Sequence, residues 1–415
     1  MWRLEKRGWL KDKRTITRLN CYIIVLLISI ITLSPTFLNT EKVWGQSTVT
    51  SIKVGEHPQN IEYNPSNGNM YVSNFDTGDI SIIDTNTSKV INTVQVNGSP
   101  NALEYNPSNG NMYASNLDQI FAIDSNTNKV IHTINAGDSP QSLKFNPSNG
   151  NMYVGNLGEV VMIDSNTNKV IHTLRIPHGP TFLEYNPANG NMYVVSNPES
   201  DQDTEANAKV LVIDNDTNKI SHSISVGEYP TFLEYNPANG NMYVSNSESG
   251  DLTIIDSKTN KVIHTIQVGR DSNANPDTLA FNPSNGNMYG TSISNSDDSS
   301  GQVFVIDNNS NKVIRTIDGG DNMHNLVYNP SNGNMYGTSI SNSDGSGKVF
   351  VIDSDTDKVL QIVDVGDNPA DIKYNPSNGG IYVVNENSDD VSLITTSKTN
   401  STNTTNWKNI AIRIH

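Results

Sequence analysis

At 415 residues the chain is long for one small domain, yet closed all-β architectures reach this size as single units. Only 17% of its residues are charged and 35% are hydrophobic, with Asn, Ser, Thr and Gly prominent among the rest, a turn and strand-edge composition that excludes long helices beyond the N-terminus. The formal net charge is -16, and because the first twenty residues hold seven Lys or Arg against two acids, the remainder carries -21; such a body repels phosphates and excludes nucleic acid as a partner.

Residues 1–45 read as a basic segment followed by an export signal. The run from Cys21 to Leu33 is interrupted only by Ser29 and Thr32 and has the length of a signal-peptide apolar core. Val43, Trp44 and Gly45 offer a cleavage site before Gln46; the alternative is a tether through residues 21–38, the sole membrane contact this reading allows. Cys21 is the only cysteine, so the exported body has no thiol for disulfides, metal sites or nucleophilic catalysis.

From residue 46 the chain is periodic. The string NPSNGNMY or a close variant recurs with its proline at 65, 107, 147, 187, 237, 283, 330 and 376. An Ile-Asp turn with a following Lys recurs with its aspartate at 84, 124, 164, 214, 256, 307 and 353. Between these lie four short β-branched or aromatic runs per copy, termed a to d, as in Ile61 to Tyr63, Met70 to Ser73, Ile80 to Ile83 and Val90 to Val96. Proline and glycine in the a-b turn, and Asp84 and Asn86 in the c-d turn, make each copy a four-stranded antiparallel meander. Strands apolar on both faces must be covered on both faces, which radial packing achieves.

The predicted fold is therefore all-β, an eight-bladed β-propeller spanning residues 46–396. Spacing assigns Thr48 to Val54 as a strand d without its own a, b and c. The last copy supplies Ile372 to Tyr374, Ile381 to Val384 and Val391 to Ile394 but loses the Ile-Asp turn, so the N-terminal strand completes the C-terminal blade. Residues 397–415 form a polar low-complexity tail in which Ile410, Ile412 and Ile414 suit one more strand.

Strand b reads YVSN at Tyr71 to Asn74 and Tyr243 to Asn246, YASN at Tyr113, YVGN at Tyr153 and YVVN at Tyr382. This resembles the YVTN-family β-propeller repeats found in archaeal surface-layer proteins and secreted bacterial relatives. The resemblance implies the propeller and a place at the surface, and says little about activity because the family is defined by fold. Eight copies where family members often have seven, and Tyr289-Gly290-Thr291 and Tyr336-Gly337-Thr338 in strand b, depart from the pattern.

The a-b and c-d turns keep constant length, whereas the distance from strand-b Tyr to the turn Asp runs 13, 11, 11, 21, 13, 18 and 17. The d-a loop is lengthened once, between Lys261 and Pro283. Variation thus falls on one face, where a rigid scaffold carries its binding loops. Those loops supply the binding candidates Glu199, Asp201, Asp203, Glu205, Arg270, Asp271, Asp297, Asp298 and Asp344, suited to a cation, a basic partner or a polar glycan.

A second set sits at the channel or its mouth: His57, His178 and His324, with Glu62, Glu104, Glu184 and Glu234 at one repeated position of the innermost strand that Lys144 and Lys373 share. His132, His172, His222 and His264 occupy an outer-strand position that other copies fill with Asn92, Arg315 and Gln361, which argues against a ligand role. No cofactor is implied; calcium suits the acidic loops, although Asp353, Asp355 and Asp357 lack the glycine of a calcium loop. Asn86, Asn97, Asn215, Asn308, Asn400 and Asn403 stand in glycosylation sequons. The reading that follows is a noncatalytic exported propeller that binds an envelope or extracellular protein, a glycan or a cation at the cell surface. Its alternative is an enzyme, since propellers of this kind include lactonases, lyases and dehydrogenases.

Overall fold

The computed structural model describes residues 45–176, 179–197, 208–268, 274–294 and 301–396. These form 32 strands, and no helix among the described residues is long and apolar enough to cross a membrane. Blade 1 shows the plan: Pro58–Asn64, Asn69–Asn74, Asp79–Asp84 and Lys89–Gln95 pair in sequence order as a meander. Seven meanders follow one another, with their first strands starting at Pro58, Leu103, Ser142, Pro180, Pro230, Ala274 and Asn322. A single residue pair, Ile293 with Asn322, joins blades 6 and 7 into a continuous sheet.

The eighth blade closes as the spacing requires. Pro369–Tyr374, Ile381–Asn385 and Asp390–Thr396 are completed by Ser47–Lys53, in register from Ser47 opposite Thr396 to Lys53 opposite Asp390. Ile52 supplies the one buried hydrophobic side chain of this strand, packing into the cluster that joins blade 8 to blade 1. Hydroxyl pairs such as Thr48 with Thr395 at 2.8 Å, and the Lys53 ammonium on the Ser388 carbonyl at 2.6 Å, line its edge.

Alternation explains why the blades stand radially. Strands b and c are buried on both faces, and their side chains sort into eight apolar clusters, one at each blade interface. Outer strands keep an exposed face, and in seven blades the c-d pairing contains a β-bulge at the same point, as between Ile82 and Ile83. The closing strand pairs without one.

Packing also accounts for one departure in strand b. A methyl placed on Gly290 would sit 2.2 Å from the Phe304 ring, so the large residue on strand c fills the space that valine takes in most other blades. Gly290→Val is expected to cost about 1–3 kcal/mol by overpacking. The double variant with Phe304→Val recovers most of that loss in denaturant melts, and additive losses would refute the compensation.

Candidate functional site

The two faces of the disc are built differently. On the face of constant turns, the strand-b tyrosine hydroxyl of one blade reaches the c-d turn of the next: Tyr71 donates to Asn128 at 3.0 Å, Tyr193 to Asn260 at 2.6 Å and Tyr243 to Asn311 at 2.8 Å. The acceptors sit at positive φ, a conformation that Asn and Asp tolerate, which fixes the turn length. The turn asparagine adds a second tie, with Asn67 donating to the Ser125 carbonyl at 2.8 Å and Asn378 of the last blade donating to Thr85 of the first at 3.1 Å. The recurrent Tyr and Asn of the repeat are thus inter-blade fasteners. Asp357, at the Asn position, accepts the Tyr289 hydroxyl at 2.6 Å and meets Arg315 at 3.3 Å, so it serves this fastener.

The axis is lined by strand a. Three residues before each turn proline stand Glu62, Glu104, Lys144, Glu184, Glu234, Ala280, Val327 and Lys373 in blade order. Lys144 meets Glu184 at 2.8 Å and Lys373 meets Glu62 at 2.5 Å, each pair crossing a blade interface. Burial acts to lower both ammonium pKa values, but the facing carboxylates outweigh it and hold them above their ordinary value. Burial pushes Glu104 up to about 7 and Asp371 up to about 6, each against the pull of its nearest lysine. Glu234 is also raised, by burial first and then by neighbouring Glu184. Lys373 of blade 8 is felt by Glu234 of blade 5, as expected of groups facing across one channel.

One level nearer the variable loops, the wall is divided. Phe182 and Phe232 contact each other with ring centroids 4.4 Å apart, while blades 6, 7, 8 and 1 present Thr278, Asn325, Asp371 and Asn60. Asp371 accepts from the Asn60 amide at 2.8 Å and from the Ile61 backbone at 3.0 Å. Asn325 donates to the Ala370 carbonyl at 2.7 Å. Where Ala280 and Val327 replace long charged side chains, a cavity of about 380 Å³ opens along blades 5 to 8, a size suited to a small ligand.

At the mouth, strand a bulges and re-aims side chains. His324, one of the mouth candidates, lies inside strand Asn322–Asn329 and not in the loop before it, because the bulge between Met323 and Leu326 extends the strand past it. Its Nδ1 is 3.1 Å from Asp277, the bulge residue of the preceding blade. His57 is a loop residue held at φ 56, a strained conformation for a large side chain, and its Nε2 contacts Glu386. Gln59 donates to the same carboxylate at 2.6 Å, and Asn368 also bonds it. Among the described residues the structure therefore places carboxylates at two separate histidines, Glu386 and, at 3.8 Å, Asp76 at His57, and Asp277 at His324.

Among the loop candidates, Asp344 lies in an exposed turn, where the Ser346 amide holds its carboxyl below the usual range. Glu199, Asp201, Asp203, Glu205, Arg270, Asp271, Asp297, Asp298 and His178 lie outside the described residues, as do Asn400, Asn403 and the segments proposed for export and for the tail. Asn86 and Asn97 are exposed, Asn215 and Asn308 half-buried. No group of three or more His, Cys, Asp or Glu able to hold a metal occurs among the described residues. Sequence reasoning missed Asp277, Glu386, Asp371 and the apolar pair Ala280 and Val327; aligning the eight strand-a copies on their turn prolines was the signal that finds the last three.

Neither family models nor curated proteins give a match to this chain. Among solved structures, Kuenenia stuttgartiensis hydrazine synthase is similar with a TM-score of 0.54 and 16% identity, over 85% of this chain and 98% of that one. Dihydro-heme d1 dehydrogenase NirN, solved in complex with DHE, is similar with a TM-score of 0.62 and 12% identity, over 84% of this chain and 79% of that one. Both are β-propeller proteins, and at these identities the likeness concerns the fold alone.

Proposed function

We propose that this is a noncatalytic, exported propeller that holds a ligand at its channel and variable-loop face, at the cell surface or in an envelope layer. The observation that carries this reading is the contrast between the faces. The turn face engages its polar groups in fasteners between blades, whereas the channel breaks the repeat at Ala280 and Val327 and opens a cavity lined by both apolar and polar side chains. Export is supported by the basic segment followed by an apolar run, and by a body without cysteine. A surface setting is supported by the YVTN-like strand b.

The ligand classes in view are an extracellular protein, a glycan or a cation. A screen of the purified protein against cell-wall fractions, envelope glycans and calcium is expected to return saturable binding. Fractionation is expected to recover the body outside the cytoplasm; an intact Met1 on a cytoplasmic body overturns the location.

The enzyme reading has one specific observation in its favour. His57 with Glu386 and His324 with Asp277 are imidazole-carboxylate contacts at the channel mouth, the pairing that general-base catalysis uses. Two similar structures are also named as a hydrazine synthase and a dehydrogenase. Turnover of a lactone panel that is lost in both His57→Ala and His324→Ala would replace the binding reading with this one.

A further inference from the structure

We infer that the cavity along blades 5 to 8 is a site for a small organic cation, with a protonated amine seated on Glu234. This rests on the binding reading above and names the ligand chemistry of the same channel.

The argument begins with the ring of charges. Around the axis each lysine is shared by carboxylates: Lys144 lies beside Glu184 and Glu104, and Lys373 beside Glu62 and Asp371. Glu234 has Glu184 on one side and Ala280 on the other, and among the described residues no cation lies within ion-pair distance of it. The Phe281 backbone amide lies near its carboxyl, which keeps lone pairs to spare. A half-buried carboxylate next to a like charge calls for a positive partner, and the chain supplies none at the repeat position.

The rest of the wall offers acceptors and apolar surface. Asn325 uses its amide NH2 on the Ala370 carbonyl, so its oxygen remains to accept. Lys373, the cation of the lining, is held by Glu62 at 2.5 Å. Ala280 and Val327 form an apolar floor, and Phe232, Phe281 and Tyr328 bring aromatic rings to the lining, surfaces that favour an organic cation. Anionic ligands meet no uncommitted positive group there. A hard metal ion needs several oxygens converging at about 2.3–2.6 Å; of the two carboxyls in the lining, Asp371 already accepts from Asn60, Ile61 and Ile372, and no group of three or more His, Cys, Asp or Glu able to hold a metal occurs among the described residues.

The fit is tested by calorimetry on the full-length protein with ethanolamine, choline and glucosamine, against ethylene glycol and N-acetylglucosamine as neutral counterparts and calcium chloride as the metal probe. At least one amine is expected to bind, with its neutral counterpart weaker by roughly tenfold or more. Glu234→Gln is expected to reduce amine affinity by a similar factor while leaving the far-ultraviolet spectrum unchanged. Ala280→Lys places an internal ammonium beside Glu234, as in the lysine-bearing blades, and is expected to abolish amine binding while raising the melting midpoint. That gain separates occupation of the site from damage to the fold.

Equal binding of amine and neutral counterpart, amine binding undiminished in both variants, a site taken by calcium alone, or no amine binding at tens of millimolar each overturns the inference. If the protein captures a glycan or protein in the broader screen yet ignores amines, this inference fails and the binding reading stands. If it captures nothing in either experiment, both fail.

Discussion

A variant lacking residues 47–53 is expected to melt well below the intact protein, and in one transition that involves every blade. The strand supplies the outer edge of blade 8, and its seven residues pair over their whole length with Asp390–Thr396. Without it the sheet of the last blade loses the strand through which the chain entering the first blade is tied to it. Ile52→Ala isolates the packing component: Ile52 is only 5% exposed, and removing it costs about 2–4 kcal/mol, or roughly 3–5 °C in a protein of this size. Calorimetry of both variants measures the effect. A midpoint unchanged by the deletion, or an early minor transition followed by the native one, would show that the seven internal blades hold together without closure.

The second large effect is a dependence of stability on pH centred on the channel. Asp371 rises from 3.8 to about 6 and Glu104 from 4.5 to about 7, so between pH 4.5 and 7 the folded chain holds more protons than the unfolded one. Stability therefore falls as pH rises through that window. At the acid end the sign reverses: hydrogen bonds from Thr87, Thr127 and their counterparts hold the turn aspartates Asp84 and Asp124 below the ordinary value, and that stabilisation is lost as pH drops below about 4. Maximal stability is expected where the two windows meet, near pH 4.5. Lys144→Met sharpens the test, because it leaves Glu104 and Glu184 facing each other without their shared cation. Breaking a buried pair costs about 3–5 kcal/mol, and with Lys144 30% exposed to channel water a loss of about 1–3 is expected at pH 8. At pH 5, with Glu104 protonated, the deficit shrinks. Melting curves from pH 4 to 9 decide it, and a pH-independent deficit would assign Lys144 a packing role alone.

The architecture was legible because its determinants are local and repeated. Proline and glycine at fixed offsets set each a-b turn, Asp84 and its equivalents accept from the amide three residues on at 2.7–2.9 Å, and the spacing between them counts the blades and finds the missing strand at the opposite terminus. The candidate site was less legible because its chemistry arises from the ring and not from any one repeat. Ala280 and Val327 look like ordinary strand residues until the neighbouring positions are known to hold Glu234 and Lys373. Glu386 meets His57 only because the first and last blades are neighbours, a contact that no local pattern encodes. Loop length drew attention to the acidic insertions, whereas the side chains the structure brings together stand on the inner strands and their bulges.

The closing strand differs from its seven counterparts in having no bulge. An outer strand with a bulge interrupts the row of amide and carbonyl groups that a foreign strand needs in order to pair, and seven rims of the disc are interrupted in this way. Ser47–Lys53 offers an even ladder, four of whose consecutive residues are exposed. Among the described strands, edge-to-edge pairing between copies would therefore meet the least interruption at this one. Among the described residues, the eight blades leave one outer strand, Ser47–Lys53, whose edge no bulge interrupts.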